Sequence, residues 1–145
     1  MKPIPIEYAL RTAWQSVTNM YNEKASLHDS TMSMGFTLLS IDPEGTPSTA
    51  LGPKMGIEST SLSRIINTLE DRGYIIRRPN PNDGRGILIF LTKKGKEKRD
   101  ISKKTVIEFN KSIIENMTSK KMEHFFEVIN YIKNTVEQKE LINNK

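Results

Sequence analysis

Six residues with short or medium-length hydrogen-bonding side chains, Ser59, Thr60, Ser61, Ser63, Arg64 and Asn67, fall within one nine-residue stretch. Side chains of that kind suit recognition at close range. Hydroxyl and amide groups reach base edges or phosphate oxygens, and an arginine adds a two-pronged donor for guanine or phosphate. Arg77 follows, and then Arg85, inside the turn-rich run Asn80-Pro81-Asn82-Asp83-Gly84-Arg85-Gly86. An arginine on a thin loop can enter a narrow minor groove, where the potential of a duplex is most negative. Taken singly, these features have ordinary explanations. A Ser/Thr-rich helix start caps the helix and faces water, and Asn-Asp-Gly is common turn chemistry. Together they point to duplex DNA.

No competing chemistry is assembled. The chain has no cysteine, which excludes disulfides, thiolate metal ligation and a thiol redox switch. His28 and His124 are the only histidines and stand far apart, outside any spaced ligand pattern, so no metal or other cofactor is expected. A nucleophile–base pair and a phosphate-binding loop are likewise missing from the pattern; no catalytic residue is assigned and an enzyme is not expected.

Charge is distributed in the same sense. Between Gly52 and Arg99 there are 11 Lys/Arg against 5 Asp/Glu, a net of +6, whereas the remainder of the chain carries a net of −1 and the whole +5. One contiguous segment thus holds all the excess positive charge, which favours a polyanion as partner. No apolar run is long enough to span a membrane, and Met1-Lys2-Pro3-Ile4-Pro5 does not read as a signal peptide, so a cytoplasmic protein is expected.

The elements that must position these residues follow from periodicity. Ile6, Leu10, Ala13, Trp14, Val17 and Tyr21 recur at three- and four-residue steps and predict a helix over 6–27, ended by Asp29-Ser30, which also offers the next cap. A second helix is expected over 31–41, closed by Asp42-Pro43-Glu44-Gly45. Pro47–Met55 contains Gly52-Pro53 and predicts a short or broken helix. Leu62, Ile65, Ile66 and Leu69 form the apolar stripe of the next helix, which Gly73 terminates; its opposite face carries the recognition residues. The period then changes to that of a β-hairpin, Tyr74–Arg78 with Ile87–Leu91. Phe90 falls where strand alternation points outward. Thr92 caps a long helix to about Met117, and a last helix follows Thr118-Ser119 with Met122, Phe125, Phe126, Ile129, Ile132 and Val136 as a broad apolar stripe. Residues 140–145 are expected to fray.

Leu69-Glu70-Asp71-Arg72-Gly73-Tyr74-Ile75-Ile76-Arg77, the run Asn80–Gly86 and Leu91-Thr92-Lys93-Lys94-Gly95 resemble the MarR family of bacterial regulators. The specific motifs span about 59–95; the outer helices match only in order, length and amphipathicity. The resemblance implies a fold that is mainly α with a small β-hairpin wing (α+β), a winged helix-turn-helix flanked by long dimerisation helices. Within a single domain over 1–145, residues 31–95 would be the winged-helix DNA-binding lobe, and 1–30 with 96–145 the helical dimerisation region. Arg85 matches the family's minor-groove arginine. Asp83 matches its partner, implied to orient the wing through a bond to Arg64 or Arg77. Arg64 matches a recognition-helix arginine.

The resemblance further implies a homodimer that binds a pseudo-palindromic operator as a sequence-specific regulator, a repressor in most relatives. The alternative is an architectural or partner-binding winged helix without base readout. Many family members also bind a small aromatic effector. Trp14, Tyr21, Met34 and Phe36 would line such a space, or are ordinary core. Gly52-Pro53 departs from the family pattern in the first helix of the motif.

Overall fold

The computed structural model describes residues 2–138, so the expected fraying over 140–145 lies outside the described residues. The elements run α1 (Ile6–Ser26), α2 (Met32–Ser40), β1 (Thr46–Pro47), α3 (Ser48–Met55), α4 (Ser59–Asp71), β2 (Ile75–Asn80), β3 (Asp83–Leu91), α5 (Lys93–Ile114) and α6 (Ser119–Glu137). The strands form one antiparallel sheet in the order β1-β3-β2. The chain divides into two compact units, 1–105 and 106–145.

Local chemistry accounts for most boundaries. Asp29 adopts a left-handed φ of 52° and turns the chain after α1. The cap of α2 is Thr31 rather than Asp29 or Ser30; its hydroxyl accepts from the Met34 N–H at 3.2 Å. Helix α3 is continuous through Gly52-Pro53, because Pro53 falls near the end of an eight-residue helix where a single lost hydrogen bond is tolerated. Gly52 is there for space: a Cβ would lie 3.2 Å from the Ile57 carbonyl oxygen, the group whose neighbouring N–H bonds back to Gly52 as α3 turns into α4. Gly56, left-handed at φ 69°, makes that turn.

The core of the first unit gathers Met34, Leu38 and Ile41 from α2, Leu51 from α3, Leu62, Ile66 and Leu69 from α4, and Tyr74, Ile75, Ile89 and Leu91 from the sheet and its approach. Leu51, Leu69 and Ile89 are fully buried, and each such side chain contributes about 1.5–3 kcal/mol of transfer free energy. The start of α5 is locked to this core. A Cβ on Gly95 would lie 1.9 Å from the Tyr74 carbonyl oxygen, so the helix approaches as closely as it does only because residue 95 is glycine. Thr92 Oγ1 accepts from the Gly95 N–H at 3.0 Å and donates to the Gly73 carbonyl at 2.6 Å. Those two bonds explain the Leu-Thr-x-x-Gly spacing. In the second unit no described residue is buried, and α6 begins with Thr118 accepting from the Lys121 N–H.

Candidate nucleic-acid interface

Helix α4 is amphipathic with a narrow apolar stripe. Burying Leu62, Ile66 and Leu69 turns Ser59, Thr60, Ser61, Ser63, Arg64 and Asn67 to the exterior, and all six are exposed. Glu58 precedes the helix without a side-chain cap, and among the described residues no side chain accepts from the first-turn N–H groups. Ser63 Oγ donates to the Ser59 carbonyl at 2.9 Å, which leaves its lone pairs outward. Arg64 makes no ion pair among the described residues.

The wing is longer and its loop shorter than the turn-rich sequence suggests. Strand β3 begins at Asp83, and only Pro81 and Asn82 separate the strands. Arg85 therefore stands on β3 within a register irregularity rather than in a loop, and it is exposed. The irregularity leaves Gly84, Arg85 and Gly86 outside regular pairing, which frees Arg85 from the ladder much as a bulge re-aims a side chain. Asn80 Oδ1 accepts from the Asn82 N–H at 3.0 Å, an Asx turn that sets the tip.

Asp83 orients the wing in a different way from the expected bond to Arg64 or Arg77. Its Oδ1 accepts from the backbone N–H of Arg85 at 3.1 Å, and among the described residues it forms no ion pair with either arginine. Short reach decides this: the carboxylate finds a local N–H two residues on before it can find a distant guanidinium. Gly86 makes room, since a Cβ there would lie 2.9 Å from Asp83 Oδ2. Arg77 is engaged elsewhere. Its Nε lies 3.1 Å from Glu70 Oε2, an ion pair in which the N–H is not aimed at the carboxylate, and its Nη2 donates to Asn67 Oδ1. Glu70 is thus a member of the site that sequence reasoning missed; its place three residues after Asn67 on one helix face was the available signal.

Ser48, Thr49, Ser59, Ser63, Arg77 and Ile87 help line a cleft of about 260 Å³ where α3, α4 and the wing meet. The four residues proposed to line an effector space are separated by burial. Met34 belongs to the core, Trp14 is 55% exposed, and Tyr21 meets Phe36 edge-on with ring centroids 5.4 Å apart. Burial pushes the Tyr21 phenol above its ordinary value. Phe90 resolves as a packing residue: its ring covers Gly45, where a Cβ would come within 2.6 Å. Among the described residues there is no cluster of three or more metal-ligating side chains, and no helix is long and apolar enough to cross a membrane.

A helix packed behind a polar recognition helix, followed by a two-stranded wing, defines a winged helix-turn-helix protein. Residues 36–87 match the sequence model of the MarR family. The multiple antibiotic resistance protein MarR of Salmonella typhimurium is 33% identical over 94 residues, 63% of this chain and 65% of that protein. The uncharacterized HTH-type transcriptional regulator YdgJ of Bacillus subtilis is 30% identical over 86 residues, 59% of this chain and 52% of that protein. The chain thus spans between about half and two thirds of these relatives' lengths. In fold it is similar to the S. aureus MepR–DNA complex, with a TM-score of 0.83 at 16% identity over 92% of this chain and 99% of that one. The likeness to the MarR family rests on residues 36–87, about a third of the chain.

Proposed function

We propose that the protein is a sequence-specific transcriptional regulator, a repressor, that binds a pseudo-palindromic duplex as a homodimer. The observation that carries this reading is the joint exposure of the α4 face and the wing arginine on one small core, within the segment that holds the excess positive charge. Helix α4 enters the major groove, where Ser59, Thr60, Ser61, Ser63 and Arg64 meet bases and phosphates. Arg85 enters the adjacent minor groove, and Asp83 shapes its approach. Asn67 and Arg77 border the same interface. The similarity in fold to a regulator solved with DNA supports the same docking.

Apolar faces supply the dimer. Ile6, Leu10 and Trp14 on α1, and Phe125, Phe126 and Val136 on α6, are exposed in the single chain. A second copy covers them and sets two recognition helices about one turn of DNA apart. The Tyr21–Phe36 pair, with Trp14 and Met34 nearby in sequence, is the proposed contact for a small aromatic effector. The chain acts as a binding protein rather than an enzyme, and works in the cytoplasm.

Selection from a random-duplex library at near-physiological salt tests the reading. The expected result is an enriched palindrome with two equal half-sites, preferred over random duplex by about 10³ or more. Salt-sensitive retention without enrichment points instead to an architectural protein, and no retention removes DNA from the account.

A further inference from the structure

We propose that Arg77 is a positioning residue that sets the angle between the wing and the recognition helix, rather than a phosphate contact; this rests on the DNA-binding reading above. Strand β2 alternates, so Arg77 shares a face with the buried Ile75, and it sits opposite the fully buried Ile89. Its guanidinium is held from α4 at two points, by Glu70 and by Asn67, which are three residues apart on one helix face. Among the described residues, the side-chain hydrogen bonds and ion pairs that join α4 to either wing strand are all made by Arg77.

Two features set Arg77 apart from the arginines that face solvent. Arg64, Arg78 and Arg85 are exposed, whereas the Arg77 side chain is 33% exposed and its Nε is buried. The Glu70 carboxylate also offsets its charge, and Nη2 is already given to Asn67, so a phosphate would have to compete with both. The leverage is favourable. Arg85 lies about three residues further out along the hairpin, roughly 10 Å at strand spacing. A small rotation at Arg77 therefore displaces Arg85 relative to the α4 face. Recognition needs both to meet one duplex in register, so the brace acts on specificity more than on attraction.

Two measurements test the proposal. The first needs no DNA. The chain has no cysteine, so Thr60→Cys with Asn82→Cys carries spin labels on α4 and the wing tip, read by pulsed dipolar spectroscopy after dilution into unlabelled protein. The parent pair is expected to give one narrow distance distribution, and Arg77→Ala or Glu70→Gln to broaden or shift it. Arg77→Lys, lacking the fork, should not restore it. An unchanged distribution overturns the proposal.

The second measurement compares the selected duplex with random duplex across salt. The positioning role predicts that Arg77→Ala shrinks the preference by about tenfold, the equivalent of one charge-assisted hydrogen bond, and that the milder Glu70→Gln shrinks it less but in the same direction, with the salt slope kept in both. A phosphate contact predicts the opposite pattern. Arg77→Ala then lowers the slope by about 0.9, and Glu70→Gln leaves affinity unchanged or raises it; that result overturns the proposal. If the unsubstituted protein prefers no duplex, the functional reading fails, and the label distances still decide whether Arg77 braces the wing.

Discussion

The first compact unit closes an apolar core around α2, α3, α4 and the sheet while leaving Ile6, Leu10 and Trp14 of α1 exposed; the second, among its described residues, buries none. In residues 1–105, Leu51, Leu69, Ile75 and Ile89 are at most 1% exposed. Among the described residues of 106–145, Phe125, Phe126 and Tyr131 are 52%, 54% and 73% exposed, and nothing is buried. The supply of partners separates them. The stripe of α4 is narrow, and α2, α3 and the sheet supply partners for it. The stripe of α6 is broad and has no such cover within its own unit. A lobe that closes its core within one chain can hold a recognition helix and wing in fixed relation. A helical unit that does not must draw its core from another surface, which we assign to a second copy. Burying each phenylalanine there would contribute about 1.5–3 kcal/mol.

The sharpest test of that contrast is how stability depends on protein concentration. Leu69→Ala removes a fully buried side chain from the lobe and should cost roughly 2–5 kcal/mol. Chemical denaturation should report the loss equally at low and high protein concentration. Phe125→Ala with Phe126→Ala should act differently, weakening self-association by about 2 kcal/mol or more if the pair forms the centre of the interface. Sedimentation should then show a monomer with the lobe still folded. A double variant that remains a dimer would move the interface away from α6.

How much of this was legible in sequence depends on the range of the interaction. Apolar periodicity located every long helix within a few residues, because burial on one face dictates it. The exposed polar face of α4 followed, since Leu62, Ile66 and Leu69 leave only one side of the helix for Ser59, Ser63 and Arg64. Strand β1 was missed: two residues, one of them Pro47, carry no period, and the strand exists only because β3 pairs with it. The partner of Asp83 was misassigned in favour of an arginine because charge complementarity is visible in sequence and a two-residue backbone bond is not. The spacing of Asn67 and Glu70 puts them on one helix face in sequence, but that Arg77 is their common partner joins a helix to a strand across a turn, and only tertiary structure reports that. Gly95 looked like a motif letter; its contact with the Tyr74 carbonyl supplies the reason.

Within the lobe, the proposed interface should separate base contacts from backbone contacts. Arg64→Ala is expected to cost about 1–3 kcal/mol at the preferred duplex and to relax base choice there. Equal weakening on preferred and random DNA would make Arg64 a phosphate contact instead. Arg85→Ala should weaken binding to all sequences alike and lower the salt slope by about 1. If affinity and slope both stay put, the wing has no part in binding. Neither variant should alter self-association, because both residues are exposed on the lobe and away from α6 in sequence.

The smallest expected effect probes how firmly the lobe holds its own frame. Thr92 joins two elements with one hydroxyl, accepting from the first turn of α5 at Gly95 and donating to the carbonyl of Gly73 in the turn between α4 and β2. Thr92→Ala should cost about 1 kcal/mol, as loss of an N-cap generally does. Thr92→Ser should recover most of it, since the serine hydroxyl can make both bonds. The effect should be independent of protein concentration, which ties it to the lobe and not to the dimer. A neutral alanine variant would mean that the backbone contact of Gly95 with Tyr74 alone holds α5 in place, and that the hydroxyl merely fills hydrogen-bonding positions that water could satisfy equally well.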